Sequence, residues 1–200
     1  MTEAQERHRP WAGVVVVDMQ VDFFNDPELE RCREDLVAAC NTVIDGALER
    51  GLPVVEIRTV HPSDHSTWAL NMVDDDEGMT EEGTPGAEPV EGLHHAGTTD
   101  GIEVVCKTRD SAFYGTDLEE ILRRHDADSF VLCGVSTESC IAATATDAYA
   151  RDFAVALVRD GTASVRWDLH DHTIDSLREQ YRQPVVGADD AVQAMARRTS

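Results

Sequence analysis

The segment Gly13-Val14-Val15-Val16-Val17-Asp18 (GVVVVD) is a run of four valines that ends in a carboxylate. An apolar run without polar alternation is typical of a strand buried on both faces, as in a parallel sheet that helices cover on each side. A carboxylate directly after such a strand is costly unless it is paired or used. The segment therefore predicts a central parallel strand with a paired or functional acid at its carboxyl end.

Strands and helices alternate along the rest of the chain. Further strands are predicted at residues 53–59, 102–106, 129–133, 154–158 and 184–186, and helices at 29–50, 117–124, 138–151, 169–180 and 188–198. The alternation predicts an α/β fold: one three-layer α/β/α domain over residues 1–200, with a mostly parallel, doubly wound six-stranded sheet and an N-terminal tail at 1–11. The polar stretch 61–100 predicts a long functional loop.

Composition and net charge argue against nucleic-acid-binding, membrane-spanning and secreted proteins. The net charge of −22 argues against a nucleic-acid partner, because phosphate contacts need a basic surface. No apolar run reaches the roughly 18 residues of a membrane span, so no membrane partner is expected. The charged first ten residues lack a secretory signal, and the five cysteines are an odd number at irregular spacing. These features favour a reducing, cytoplasmic location.

Three reactive side chains follow predicted strands. Asp18 ends the first strand, Lys107 ends the third, and Cys140 lies at the start of the helix after the fourth. Lys107 is also the single lysine among 17 Lys and Arg residues. Because ligands of open α/β sheets bind beyond the carboxyl ends of the strands, we expect these three groups to meet there.

The three side chains also have ordinary interpretations. Lys107 could be a surface lysine at a strand end, Asp18 could cap a loop, and Cys140 could pack as a small apolar residue. A thiol in the first turn of a helix, beside an ammonium, is instead expected to have a lowered pKa and to act as a nucleophile. Asp18 could then take the thiol proton while Lys107 holds both groups in place.

The chain resembles the isochorismatase-like cysteine hydrolases, which include nicotinamidases, N-carbamoylsarcosine amidohydrolase and ureidoacrylate hydrolases. The resemblance spans about residues 12–187. Its motifs are Asp18-x-Gln20-x-Asp22-Phe23, Gly83-Thr84-Pro85-Gly86-Ala87, Lys107 with Ser111-Ala112-Phe113, Gly134-Val135-Ser136-Thr137-Glu138-Ser139-Cys140 and Asp160-Gly161-Thr162-Ala163-Ser164.

The resemblance implies a catalytic triad of Asp18, Lys107 and Cys140. It also implies a cis peptide between Val135 and Ser136, and an oxyanion hole made by the N–H groups of Ser136 and Cys140. The implied reaction is cleavage of a C–N bond in a small amide or ureide through a thioester. Family members form homo-oligomers, so a dimer or tetramer is expected.

The metal-binding pattern of nicotinamidases is incomplete in this chain. His61 and His65 have the spacing of that pattern, but Thr59 stands where its aspartate would be, and no histidine lies between residues 71 and 83. Two imidazoles alone make a poor site for a divalent cation, so neither a metal nor another cofactor is expected.

Aromatic residues near the strand ends are candidates for the walls of the substrate pocket. The substrate-binding candidates are Phe23, His61, Trp68, Phe113 and Tyr114.

Two other functions fit parts of the pattern. Isochorismate-type vinyl-ether hydrolysis occurs in this fold but needs no cysteine. A non-catalytic, doubly wound signalling domain also places acids after its first strand, but it would have a phosphorylatable aspartate where this chain has Lys107.

Overall fold

The computed structural model describes residues 10–197 and contains a six-stranded sheet. Its strands are β1 (Val14–Val17), β2 (Val54–Thr59), β3 (Ile102–Lys107), β4 (Ser129–Val135), β5 (Ala154–Ala163) and β6 (Val185–Val186). The strand order is β3-β2-β1-β4-β5-β6, and each neighbouring pair is parallel. The predicted fold class is confirmed. The order changes direction between β1 and β4, where a doubly wound sheet opens a crevice.

Helices cover both faces of the sheet. They are α1 (Pro27–Leu48), α2 (Leu70–Asp75), α3 (Leu118–Arg124), α4 (Ala142–Ala150), α5 (Trp167–Tyr181) and α6 (Ala188–Gln193). Val14 and Val16 pack in one core with α1 and α6, whereas Val15 and Val17 pack in the other with α3, α4 and α5. Successive strand side chains point to opposite faces, so a strand covered on both sides needs an apolar residue at every position.

Strand β3 is less buried than the central strands β1 and β4. It lies at one edge of the sheet, and both Val104 and Cys106 are exposed. An edge strand has a neighbour on one side only, and the side chains of Val104 and Cys106 remain accessible on this face. Lys107, in contrast, is buried, because it ends the strand inside the crevice.

The long stretch between β2 and β3 is ordered. It contains α2 and a short 3₁₀ turn, Pro85–Ala87, and it sends Val90 and Leu93 into the core beside α1. Most of the predicted N-terminal tail, residues 1–9, lies outside the described residues, while Trp11 is buried and its N–H donates to Ala194 O at 3.0 Å. Within residues 10–197, no helix is both long and apolar enough to cross a bilayer.

Candidate active site

The strand order brings the three reactive side chains to one place. Asp18 follows β1 at the centre of the sheet, Cys140 follows the neighbouring β4, and Lys107 ends β3, which is separated from β1 by β2. Asp18 adopts a left-handed conformation, with φ of 53°, and its N–H donates to Ile57 O at 3.0 Å. This sparsely populated conformation is a form of local strain that recurs at functional sites.

Lys107 links the other two groups. Its Nζ lies 2.7 Å from Asp18 Oδ2 and 3.3 Å from Cys140 Sγ. The side chains of Asp18 and Lys107 are 0% and 1% exposed. Since a buried charge is costly without a partner, this ion pair explains why an ammonium and a carboxylate both tolerate the interior.

The segment that carries Cys140 is tightly built. Gly134 has a φ of 113°, and a Cβ at this position would lie 1.9 Å from Val17 O, so only glycine allows β4 to approach β1 here. The following peptide bond, Val135–Ser136, is cis. Cys140 then lies in a π-helical turn, Thr137–Ile141, that continues into α4.

The Cys140 thiol does not have the lowered pKa that its position in the sequence suggests. Burial raises the pKa of this thiol well above its ordinary value of 9.0, and the charge of Asp18 raises it further, while Lys107 offsets only part of the effect. Desolvation and a nearby carboxylate therefore outweigh the helix terminus and the ammonium. A nucleophile in this state needs a base to remove its proton during attack.

Lys107 is held in its charged form. Burial lowers the pKa of its ammonium, but the charge of Asp18, the charge of Cys140 when its sulfur is ionised, and the hydrogen bonds to both groups outweigh burial, so the net pKa is raised above 10.5. At neutral pH the site therefore contains a fixed positive charge between the carboxylate and the sulfur.

Two neighbours of the cluster were not among the predicted site residues. Thr59 Oγ1 accepts from Lys107 Nζ at 2.7 Å and donates to Asp18 Oδ1 at 2.9 Å. Gln20 accepts from Thr59 N and donates to Thr59 O, both at 2.8 Å. The available signals were the buried glutamine of the Asp18-x-Gln20 motif and the position of Thr59 at the end of β2, the strand between β1 and β3.

A cavity of about 840 Å³ opens above the cluster. Lys107 and Cys140 contribute to its floor, and the predicted substrate-binding residues Phe23, His61 and Tyr114 line it. The other lining side chains are Thr59, Ala69, Asn71, Met72, Met79, Thr108, Arg109, Asp110, Ser111 and Ser139. A volume of this size accommodates a small molecule.

Two predicted pocket residues do not line this cavity. Trp68 lines a neighbouring hollow and stacks on His65 with ring centroids 3.9 Å apart. Phe113 is buried against Phe130 and Phe153 in the core. These two residues lie outside the cavity lining, because an aromatic residue near a strand end can turn either toward the crevice or into the helix layer.

The two histidines of the incomplete metal pattern have separate partners. His61 is buried, and its Nδ1 lies 2.8 Å from Thr67 Oγ1, whereas His65 Nε2 lies 3.9 Å from Glu81 Oε2. Burial lowers the pKa of His61, as do the charges of Arg109 and Lys107, so its imidazole is neutral at pH 7. Within residues 10–197, no three His, Cys, Asp or Glu side chains are grouped to hold a metal ion.

The chain is similar to known proteins over most of its length. A family model described as Isochorismatase domain matches residues 12–190. A protein of Arabidopsis thaliana described as a probable inactive nicotinamidase is 32% identical over 172 residues, which cover 82% of this chain and 86% of that protein.

Solved structures share the architecture as well. An isochorismatase family protein from Desulfovibrio vulgaris gives a TM-score of 0.79 at 29% identity, covering 92% of this chain and 100% of that one. An N-carbamoylsarcosine amidase from Thermoplasma acidophilum gives a TM-score of 0.75 at 28% identity, covering 88% of this chain and 96% of that one.

Proposed function

The chain belongs to the isochorismatase family, and on that premise we propose that it is a cysteine-dependent amidohydrolase that cleaves a C–N bond in a small amide or ureide. The observation that carries the proposal is the contact of Lys107 with both Asp18 Oδ2, at 2.7 Å, and Cys140 Sγ, at 3.3 Å. Relatives of the chain include an amidase and a maleamate amidohydrolase, which act on C–N bonds.

In the first half of the reaction, the Cys140 sulfur attacks the substrate carbonyl while Asp18 takes the thiol proton. The new C–S bond forms as the carbonyl electron pair moves to oxygen. When this intermediate collapses, the proton passes from Asp18 to the departing nitrogen, which leaves as ammonia or an amine. The raised pKa of the Cys140 thiol supports the need for a base in this step.

In the second half, water hydrolyses the thioester. Asp18 takes a proton from the water, and the proton then returns to the sulfur as the C–S bond breaks. Lys107 stays charged throughout, which agrees with its raised pKa. Its charge would stabilise the thiolate each time the sulfur carries the electron pair.

The oxyanion hole in this proposal consists of the N–H groups of Ser136 and Cys140. Cys140 lies in the first turn after β4, where helix N–H groups lack intrahelical partners. Ser136 immediately precedes this turn. Removal of one such donor typically lowers kcat by about 10²–10³.

The substrate would lie between the apolar side chains of Phe23, Met72 and Met79 and the buried polar edge of His61. A neutral imidazole can donate or accept one hydrogen bond, which suits an amide or ureido group. Neither a metal nor another cofactor has a part in this proposal.

The test is a screen for ammonia release with a panel of primary amides, N-carbamoyl compounds and ureides, nicotinamide included. For any active substrate, mass spectrometry of acid-quenched enzyme should detect the acyl group on the peptide that contains Cys140. Cys140→Ala should abolish both signals, while Cys106→Ala, at the exposed edge, should abolish neither.

An adduct on another cysteine, or turnover that survives Cys140→Ala, would count against the proposed nucleophile. Hydrolysis of a vinyl ether such as isochorismate by Cys140→Ala would favour the ether-hydrolase alternative. The predicted homo-oligomer remains a separate expectation that sedimentation velocity measures directly.

A further inference from the structure

Thr59 occupies the gap that the strand order leaves between two members of the cluster. Lys107 ends β3 and Asp18 follows β1, so β2 lies between them, and Thr59 is the last residue of β2. In the register of the sheet, Thr59 is paired with Lys107. The lysine side chain must therefore pass the end of β2 to reach the carboxylate and the sulfur.

The hydrogen bonds through the Thr59 hydroxyl run in one direction, from the Lys107 ammonium to the Asp18 carboxylate. The Lys107 ammonium has three protons and no acceptor, and it has three neighbours: Asp18 Oδ2, Cys140 Sγ and Thr59 Oγ1. Because Thr59 Oγ1 accepts from the ammonium, its own proton is free to be donated, and it is directed to Asp18 Oδ1 at 2.9 Å.

Asp18 Oδ1 receives a second bond from the same residue. The Thr59 N–H donates to it at 3.0 Å and is shared with Gln20 Oε1 at 2.8 Å, so Thr59 supplies its hydroxyl and a shared N–H to one carboxylate oxygen. The other oxygen, Oδ2, is buried and faces the ammonium. Oδ2 is thus the oxygen left to receive the proton of Cys140.

We propose that Thr59 is a positioning residue whose hydroxyl orients the Asp18 carboxylate and holds Lys107, so that the thiol proton moves from Cys140 Sγ to Asp18 Oδ2. This inference rests on the proposed function. Thr59 lines the cavity, but its hydroxyl is engaged by Lys107 and Asp18, so its role is to fix which oxygen serves as the base. A neutral hydroxyl can do both tasks because it is donor and acceptor at once.

Gln20 holds the backbone of Thr59 in place through hydrogen bonds. Its side-chain amide bonds both the N–H and the carbonyl of Thr59 at 2.8 Å, and it also donates to Ala87 O at 2.8 Å. These two hydrogen bonds fix the backbone of Thr59. A substitution that removes only the hydroxyl can therefore test the role of the hydroxyl separately from the backbone.

Thr59→Val removes the hydroxyl while keeping the shape and the backbone N–H. Thr59→Ser retains the hydroxyl. Ser129→Ala is the matched control, because Ser129 is also buried but lies at the opposite end of the sheet. Melting temperatures of all variants report whether each one folds.

With an active substrate, Thr59→Val should lower kcat roughly 10- to 100-fold, the range expected for a lost hydrogen bond to a charged group, with KM within about threefold. Thr59→Ser should restore most of the loss, and Ser129→Ala should leave kcat unchanged.

A second readout needs no substrate. Because the chain has a single lysine, ¹³C,¹⁵N-lysine labelling gives one side-chain signal, whose shift with pH reports the pKa of Lys107. We expect Thr59→Val to lower this pKa by about one unit, since the ammonium loses an acceptor, and Thr59→Ser to retain the wild-type value.

The outcomes separate the two proposals. If the wild-type chain hydrolyses nothing in the panel, the proposed function fails and the Lys107 pKa alone decides the role of Thr59. An unchanged Lys107 pKa in Thr59→Val overturns the inference, as does a Thr59→Ser variant that is as impaired as Thr59→Val. A Thr59→Val variant that is less stable but keeps both the wild-type kcat and the wild-type pKa of Lys107 would show a structural role only, and it would also overturn the inference.

Discussion

The floor and the rim of the cavity are built in opposite ways. The floor, formed by Thr59, Lys107 and Cys140 together with Asp18 in contact with Lys107, is nearly inaccessible, with residue exposures between 0% and 7%. The rim, residues 69–79, contains α2, which buries none of its residues, and leaves Leu70 83% and Val73 59% exposed. The chemical groups are therefore held by the core, whereas the substrate-facing segment stands outside it.

The ends of the rim are nevertheless fixed. Gly78 packs so closely on Trp68 that a Cβ at this position would lie 2.4 Å from the ring, and Trp68 in turn stacks on His65. The segment between them has few buried contacts, and such segments open locally at low free-energy cost. Under the proposed function, the floor would determine the reaction and the rim would contribute to the choice of substrate.

The largest effect is expected when Asp18, the proposed general base, is replaced. Asp18→Asn keeps the shape of the floor but cannot accept the thiol proton, so we expect kcat/KM to fall by at least about 10³-fold, within the range for loss of a general base. Steady-state kinetics on the best substrate of the panel would measure it. Turnover within tenfold of wild type would remove Asp18 from the mechanism.

A second test concerns stability. Lys107→Met leaves the buried Asp18 carboxylate without its cation, so we expect the free energy of unfolding to fall by about 3–5 kcal/mol. Arg31→Ala, which removes an exposed ion pair with Glu28, should cost less than about 1 kcal/mol. Urea unfolding compares the two. Equal small costs would mean that the floor is not a buried charge network.

A third test uses alkaline pH. Burial and Asp18 raise the pKa of the folded Cys140 thiol above 9.0, so the unfolded chain loses this proton at lower pH than the folded chain does. The stability from this group is fully present below pH 9 and declines as pH rises toward the folded pKa, by about 1.4 kcal/mol per pH unit.

Urea unfolding of wild type and Cys140→Ala at pH 8, 9 and 10 isolates this contribution. The variant should lose about 1 kcal/mol less than wild type between pH 9 and pH 10, since the unfolded thiol is only half deprotonated at pH 9. The same slope in both proteins would show that the thiol of Cys140 titrates alike in the folded and unfolded states.

The smallest effect is expected at the rim. Met72→Ala removes a wall of the cavity without touching the floor, so KM should change a few-fold and the preference among amides should shift, while kcat stays within about threefold. Leu70→Ser, on the same helix but outside the cavity lining, should change neither. A kcat loss in Met72→Ala as large as that of Asp18→Asn would contradict the assignment of the chemistry to the floor and of substrate choice to the rim.

Much of the floor was predictable because it lies at strand ends. A run of valines, a terminal carboxylate and a lysine after another apolar run locate Asp18 and Lys107 at one edge of a parallel sheet, and the motif around Cys140 adds the sulfur. Thr59 and Gln20 were not predictable as members of the site, because a threonine at a strand end and a buried glutamine each have many ordinary roles.

The orientation of the aromatic side chains near the rim could not be predicted from the sequence. Trp68 and Phe113 were expected in the pocket beside Phe23 and Tyr114, but one stacks on His65 and the other lies in the core. Sequence gives the position of an aromatic residue along the chain. The direction of its side chain depends on packing between elements that are distant in sequence.

The sequence by itself predicted the parallel sheet and placed three candidate reactive side chains at strand ends, because hydrophobic periodicity and strand-end chemistry are local properties. Its ordered motifs carried the resemblance to the family. Only the tertiary structure decided the protonation state of Cys140, since its raised pKa depends on burial and on the distance to Asp18. It also decided the role of Thr59, because a hydroxyl becomes a bridge only when β2 lies between the strands that carry its two partners.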